Sequence, residues 1–313
     1  MPRVSVIMPV LNAGRFIGEA IASVQAQTFP DWELVVIDDG STDGSAGVAE
    51  EAGLADPRIR LVDNRAGPTH GAAAARNLGM RLATGALIAF LDADDLYEPG
   101  KLADEVALLD ANPDVAMVYG PALWWNDGGP PRRWIQSMRR EAGRAYPPTV
   151  LLRKVIVAND WEVPCTCSVL IRREAIERVG GFDERFRLYE DQTLWAKLFL
   201  VLPAYVHATC HARYRQHAAS TSAAATRAGE YSQNANHSAR GEFLAWLDEY
   251  CRGSGVADAH LHREIRIARS PYVEGHGLQH RLDLTRLALR RLLRRMRGRA
   301  IRLSKIIRGR GRG

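Results

Sequence analysis

Residues 87–102 read LIAFLDADDLYEPGKL, five apolar residues leading straight into Asp92, Asp94 and Asp95. Like charges this close disfavour one another's ionisation, so the run calls for a counter-charge. In extended chain, positions i and i+2 face the same side, so Asp92 and Asp94 can hold one hard divalent cation through oxygen. Mg²⁺ or Mn²⁺ suits such a pair and keeps open positions for phosphate oxygens. There it would neutralise a diphosphate leaving group as charge develops. The same residues also read as a solvated acidic turn ahead of Pro99.

Other residues invite the same two-sided reading. Asp38 and Asp39 follow an apolar run and precede Gly40-Ser41. They either cap a helix at a tight turn or accept hydrogen bonds from a base N–H or a ribose hydroxyl. Arg76 either pairs with an acid or offers phosphate a planar fork of donors. Glu190 and Asp191 stand where a helix should start, a place the helix dipole favours for acids. Asp191 can also be a general base that accepts a proton from an attacking hydroxyl. His217, in YRQHAASTS with Arg215, is an ordinary surface or core histidine, or a metal or diphosphate contact.

The elements that must carry these residues alternate. Strand patterns at 4–10, 34–37, 59–62, 87–91 and 115–119 are separated by helical patterns: Phe16, Ile17, Ala20, Ile21 and Val24 on one face, a small-residue helix opened by Ser41-Thr42-Asp43, an Ala-rich run over 71–83, and Leu102, Val106 and Leu109 after Pro99. Continuous apolar strands in such an alternation predict a mostly parallel, Rossmann-like α/β sheet flanked by helices. Ligands bind beyond the carboxyl ends of such strands. Asn12, Asp38-Asp39, Asp63-Asn64 and Asp92, Asp94 and Asp95 all fall on that rim.

Residues 121–165, rich in Trp and Pro, read either as a covering segment or as a substrate-binding lid. A strand over 168–171 and a helix over 174–179 ended by Gly180-Gly181 follow. Leu194, Trp195, Leu198, Val201 and Leu202 then form a helical apolar stripe that reads as core.

The chain has 313 residues, 46% hydrophobic and 25% charged, an ordinary globular balance. Its net charge of +6 is uneven. Residues 281–313 carry 13 Lys and Arg against one acid, Asp283, which makes residues 1–280 acidic at −6. That argues against a nucleic-acid-binding body. No secretory signal and no apolar run of about 18 residues is legible. Cys165, Cys167, Cys210 and Cys251 fit neither a zinc pattern nor a disulfide framework. A reducing, cytoplasmic setting is expected.

Three stretches, VSVIMPVLNAGRFIGEAIASVQAQTFPDWELVVIDDGSTDGS, GAAAARNLGMRLATGALIAFLDADD and GGFDERFRLYEDQTLWAKL, together resemble a family 2 glycosyltransferase of the GT-A fold over roughly residues 3–220. The resemblance implies inverting transfer of a sugar from a nucleotide-diphosphate donor, a UDP-sugar being expected, with Mn²⁺ or Mg²⁺. It implies that Pro9, Val10, Asn12, Asp38 and Asp39 line the nucleoside site, with Arg76 close to the nucleotide. Asp92 would reach ribose or metal, Asp94 would be the main metal ligand, and His217 would lie at the metal or diphosphate. Asp191 would be the base, with Glu190 and Trp195 on the acceptor side. Leu11 stands where the family often has Tyr.

The expected organisation is a GT-A catalytic domain over 1–220, its nucleotide half about 1–120 and its acceptor half about 121–220. A helical extension over 221–280 and a basic amphipathic tail over 281–313 follow. In the tail Leu282, Leu289, Leu293, Met296, Ala300, Leu303 and Ile307 recur among arginines, which suits an anionic membrane surface; packing on the body or nucleic-acid binding are the alternatives. The expected role is surface polysaccharide or glycolipid synthesis on a glycan or lipid-linked acceptor, at the inner face of the plasma membrane. A sugar nucleotidyltransferase and an inactive nucleotide-sugar-binding scaffold are the competing readings.

Overall fold

A computed structural model describes residues 1–126, 133–138, 140–232 and 236–310. The amino-terminal part alternates as the sequence predicts: β1 (Val4–Val10), α1 (Ile17–Gln25), β2 (Trp32–Asp38), α2 (Ser45–Ala55), β3 (Ile59–Asp63), α3 (Ala72–Leu82), β4 (Leu87–Phe90), β5 (Leu96–Tyr97) and α4 (Lys101–Ala111). Then come β6 (Met117–Tyr119), β7 (Ala122–Asn126), β8 (Arg133–Ile135), β9 (Arg144–Tyr146), a π-helical turn (Leu152–Val157), β10 (Val169–Arg172), α5 (Arg173–Val179), α6 (Glu190–Val201), β11 (Ala204–Val206) and β12 (Ala212–Gln216). Helices α7 (Thr221–Arg227), α8 (Ser238–Gly253), α9 (Ala259–Arg269) and α10 (Leu278–Arg310) complete the chain.

The main sheet has the order β3-β2-β1-β4-β10-β6-β11-β9. Its first four strands are parallel, in the register Val4–Val10 beside Trp32–Asp38. Both faces of β1 and β2 are covered, which is why they read as unbroken apolar runs. Ile17, Ala20, Ile21 and Val24 press α1 onto one face. The Ala-rich α3 lies close on the other, because a Cβ at Gly79 would meet the Ile7 side chain at 2.4 Å.

Three expectations change. The fifth strand is only Met117–Tyr119, and β10, from far along the chain, inserts antiparallel between it and β4. Helix α2 starts at Ser45 rather than at Ser41, because Ser41 and Asp43 are engaged elsewhere, accepting from the Asn12 and Gly14 amides at 3.0 and 2.8 Å. Residues 121–165, expected to have little regular structure, supply both core and strands. Leu151, Leu152 and Val155–Val157 are core. Strands β7 and β8 join β5 and β12 in a second sheet, order β5-β12-β7-β8, that stands beside the strand ends.

The helical part is not an appendage. Phe243, Leu244, Leu247, Leu261 and Ile265 of α8 and α9 share one core with Trp195, Phe199 and the π-helical turn.

Candidate active site

The carboxyl ends of β1, β2 and β4 open into a cleft of about 1170 Å³, walled on its far side by β7, β8 and the start of α6. Pro9, Val10 and the exposed Leu11 form its floor at β1. Asp39, directly after β2, holds the next loop in place: it accepts from the Asn64 amide at 2.8 Å, from Gly71 N–H at 2.6 Å, and pairs with His70 Nδ1 at 2.9 Å. Gly71 sits at φ +97, a conformation that favours glycine.

The neighbouring acid goes elsewhere. Asp38 is buried, accepts from Ser41 N–H at 3.1 Å, and lines a separate hollow between α2 and β3. Of the two, Asp39 is the one at the cleft. Asn12, expected in the nucleoside site, does not line the cleft. Its side-chain oxygen accepts from the Thr42 amide at 2.9 Å, so it locks the β1 exit onto the 41–43 turn.

The acid run divides its labour. Asp92 accepts from Arg76 at 2.6 Å. Asp94 lies 2.8 Å from His217 Nε2, whose ring rests on Phe16 with centroids 4.7 Å apart. Asp95 turns inward and accepts from Arg215 N–H at 2.8 Å, tying this loop to β12. Burial, with Asp94 and Asp92 beside it, pushes the Asp95 carboxyl well above the usual carboxylate range. Its role is structural. The Arg215 guanidinium is held between the Phe16 and Trp125 rings, 4.8 and 4.3 Å from their centroids, and pairs with Glu19 at 2.7 Å.

Across the cleft, α6 begins after Tyr189, which has φ +67. Arg76, on α3, is buried and reaches both sides: Asp92 through Nη2, and Glu190 through Nη1 at 3.1 Å. Burial alone would lower the Arg76 pKa, but Asp92 and Glu190 overcome it and hold the guanidinium charged. Burial raises the Glu190 carboxyl above its ordinary value, against the pull of Arg76. Burial and the charge of Glu190 raise Asp191 to about 7, against the Gln192 amide and Arg76. A carboxylate poised near neutrality in a cleft can take a proton from a hydroxyl.

Trp195 requires a correction. It is fully buried, its ring 6.5 Å from Phe90 and 6.1 Å from Phe182, and it does not line the cleft. Its apolar stripe is core, so any influence on an acceptor passes through packing. Several cleft residues lie outside the sequence expectations: His70, Trp124 and Trp134 (stacked at 5.3 Å), Tyr214, Tyr189, Tyr231 and Arg240. The tryptophan-rich segment signalled the first pair; the rest carry no local pattern.

The residues present fit a divalent cation of one kind only. Among the described residues no three His, Cys, Asp and Glu side chains converge as a cage. Asp94 and His217 do stand together, while Asp92 has one carboxylate oxygen on Arg76. Mg²⁺ and Mn²⁺ sites commonly consist of one or two protein ligands completed by substrate phosphates and water.

A mostly parallel sheet with an acceptor-rich rim, an Asp-x-Asp loop after β4 and a raised carboxyl opposite fit a glycosyltransferase of GT-A fold, the class to which the comparisons assign the chain. S. aureus TarS in complex with UDP-GlcNAc superposes with a TM-score of 0.63 at 20% identity, covering 87% of this chain and 71% of that one. Mannosyltransferase PcManGT from Pyrobaculum calidifontis, in complex with GDP-Man and Mn²⁺, gives 0.54 at 21% identity over 95% of this chain and 84% of that one. UDP-Glc:alpha-D-GlcNAc-diphosphoundecaprenol beta-1,3-glucosyltransferase WfgD of Escherichia coli is 40% identical over 117 residues, 37% of this chain and 44% of that protein. The matched region spans about half the length of the curated relatives. The model of glycosyl transferase family 2 matches residues 5–180, and the chain belongs to that family.

Proposed function

We propose that this family 2 enzyme transfers a sugar, with inversion, from a nucleoside-diphosphate donor to an acceptor hydroxyl, and that Asp191 is its base. The observation that carries the reading is the Asp191 carboxyl, raised to about 7, in the same cleft as Asp39, Arg76, Asp92 and Asp94. The nucleoside lies on Pro9, Val10 and Asp39, with Asn12 and Asp38 holding the loops that shape this end. The acceptor enters between β7–β8 and the α6 start. Its hydroxyl gives its proton to Asp191 while its oxygen bonds to the anomeric carbon on the face opposite the diphosphate. The bond from that carbon to the diphosphate oxygen breaks in the same step. Arg76 bridges Asp92 and Glu190 and fixes both, which positions the donor side and the base side together. When bound at Asp94 and His217, Mn²⁺ or Mg²⁺ would neutralise the departing diphosphate.

UDP-sugar is the donor favoured by the S. aureus and E. coli relatives, and a lipid-linked glycan is the acceptor favoured by the latter; surface polysaccharide or glycolipid synthesis is the role proposed. A nucleotidyltransferase needs no acceptor base, and a silent scaffold needs neither Asp94 nor Asp191. Loss of transfer with retention of donor binding in Asp191→Asn tests the reading.

The same proposal places α10 on an anionic membrane surface at the inner face of the plasma membrane. No helix among the described residues is long and apolar enough to cross a membrane. Helix α10 meets the body through polar groups: Asp283 with Arg266, Arg290 with Glu264 at 3.4 Å, and Arg291 with Asn236 at 2.8 Å. Leu278, Leu282, Leu289, Leu292, Leu293 and Met296 are exposed and fall in one stripe about 100° wide at helical spacing. The side chains of Ala300, Leu303 and Ile307, and residues 311–313, lie outside the described residues.

A further inference from the structure

Among the described residues four arginines line the cleft: Arg76, Arg185, Arg187 and Arg240. Three are neutralised by acids. Arg76 pairs with Asp92 and Glu190, Arg185 with Asp183 at 2.7 Å, and Arg187 with Glu230. Arg240, on α8, pairs with no acid among the described residues. Its Nη2 donates to the Ile156 carbonyl at 2.5 Å and the Val157 carbonyl at 3.3 Å. Nε and Nη1 have no hydrogen-bond partner among the described residues.

The guanidinium lies 5.6 and 5.5 Å from the Tyr189 and Phe243 ring centroids, a setting that fixes it without neutralising it. Such burial lowers its pKa, which is what a cation short of a counter-charge shows. Its position is on the acceptor side. It packs on Tyr189, the residue before Glu190-Asp191, and Tyr231 is within electrostatic reach of both Asp191 and Arg240. A largely buried, pre-oriented, unneutralised guanidinium facing a cleft is a receptor for a planar or tetrahedral oxyanion.

We propose that Arg240 binds a phosphate group carried by the acceptor, so that the acceptor is a phosphate- or diphosphate-linked glycan rather than a neutral sugar. The proposal rests on reading the cleft as a donor and acceptor site. The donor's own diphosphate has the same chemistry, and the two sources are separable. Full-length protein is first saturated with UDP, then titrated with inorganic pyrophosphate by calorimetry. Wild type should bind pyrophosphate with UDP already in place. Arg240→Gln should bind it about 10- to 100-fold more weakly, the loss of one or two charge-assisted hydrogen bonds, with UDP affinity unchanged. Arg240→Lys, which keeps the charge in case the glutamine variant is poorly folded, should lie between.

Pyrophosphate binding that is absent in the UDP-bound wild type, or equal in all three proteins, overturns the proposal. Loss of UDP affinity in Arg240→Gln, with Arg240→Lys normally folded, assigns the residue to the donor and overturns it too. Failure of wild type to bind UDP at all would instead count against the donor reading.

Discussion

His217 Nε2 lies 2.8 Å from Asp94 Oδ2, although the two residues are 123 positions apart. The contact joins the end of β12 to the loop after β4. It makes one donor pair from two residues that the sequence could offer only separately. If the pair holds a divalent cation, nucleotide affinity should depend on that cation through Asp94. EDTA should weaken UDP binding to the wild type, Mn²⁺ should restore it, and Asp94→Ala should bind weakly under both conditions. UDP affinity indifferent to EDTA would remove the cation from donor binding.

Asp191 should set the pH profile. It is base-competent only when deprotonated, so kcat/KM should rise with pH through about 7 and level off above. Glu190→Gln removes a charge that raises Asp191, so the midpoint should move to lower pH. Linkage has the opposite sense for stability: an acid whose folded value is raised costs stability as pH climbs from its ordinary value to about 7. Asp191→Asn should therefore flatten that part of the stability profile while abolishing the rate profile.

Arg76 should be structural as well as functional. Its side chain is 3% exposed and it serves two acids, at 26% and 19%. Arg76→Met leaves both uncompensated and should cost about 3 kcal/mol, the low end for breaking a buried ion pair because both acids keep some solvent. Urea denaturation measures it. Adding Glu190→Gln should recover part of the loss; a strictly additive double variant would show that the pair does not couple.

The parallel half of the sheet was legible because each of its strands is buried on both faces and so reads as an apolar run. The rim acids were legible because loops leaving those strands share one edge. What escaped depends on long-range pairing or on the direction of a side chain. Nothing local in VLIR (residues 169–172) says that it will insert antiparallel between β4 and β6. Asn12 looked like a ligand because it ends β1, yet a turn hydrogen bond to Thr42 turns it away. Trp195 sits near two site acids in sequence, but helical rotation buries it against Phe90 and Phe182. Arg240 lies on α8, outside the three motif stretches, and only packing against Tyr189 brings it to the cleft.

The exposed stripe of α10 should bind anionic vesicles. Full-length protein should co-sediment with phosphatidylglycerol-containing vesicles and less with neutral ones, and high salt should weaken the attachment. Replacing Leu289, Leu293 and Met296 with Ser should release it while leaving UDP affinity unchanged. Equal sedimentation of that variant and the wild type would leave the arginines, not the stripe, as the attachment.

The base assignment is tested most directly by comparing wild type and Asp191→Asn at saturating nucleotide sugar, Mn²⁺ and a membrane-lipid extract as acceptor source, following nucleoside diphosphate release and sugar incorporation together. The account predicts that wild type turns over one member of the nucleotide-sugar panel. The variant should bind that donor with similar affinity and lose transfer by about 100-fold or more. Transfer by Asp191→Asn at the wild-type rate would contradict it.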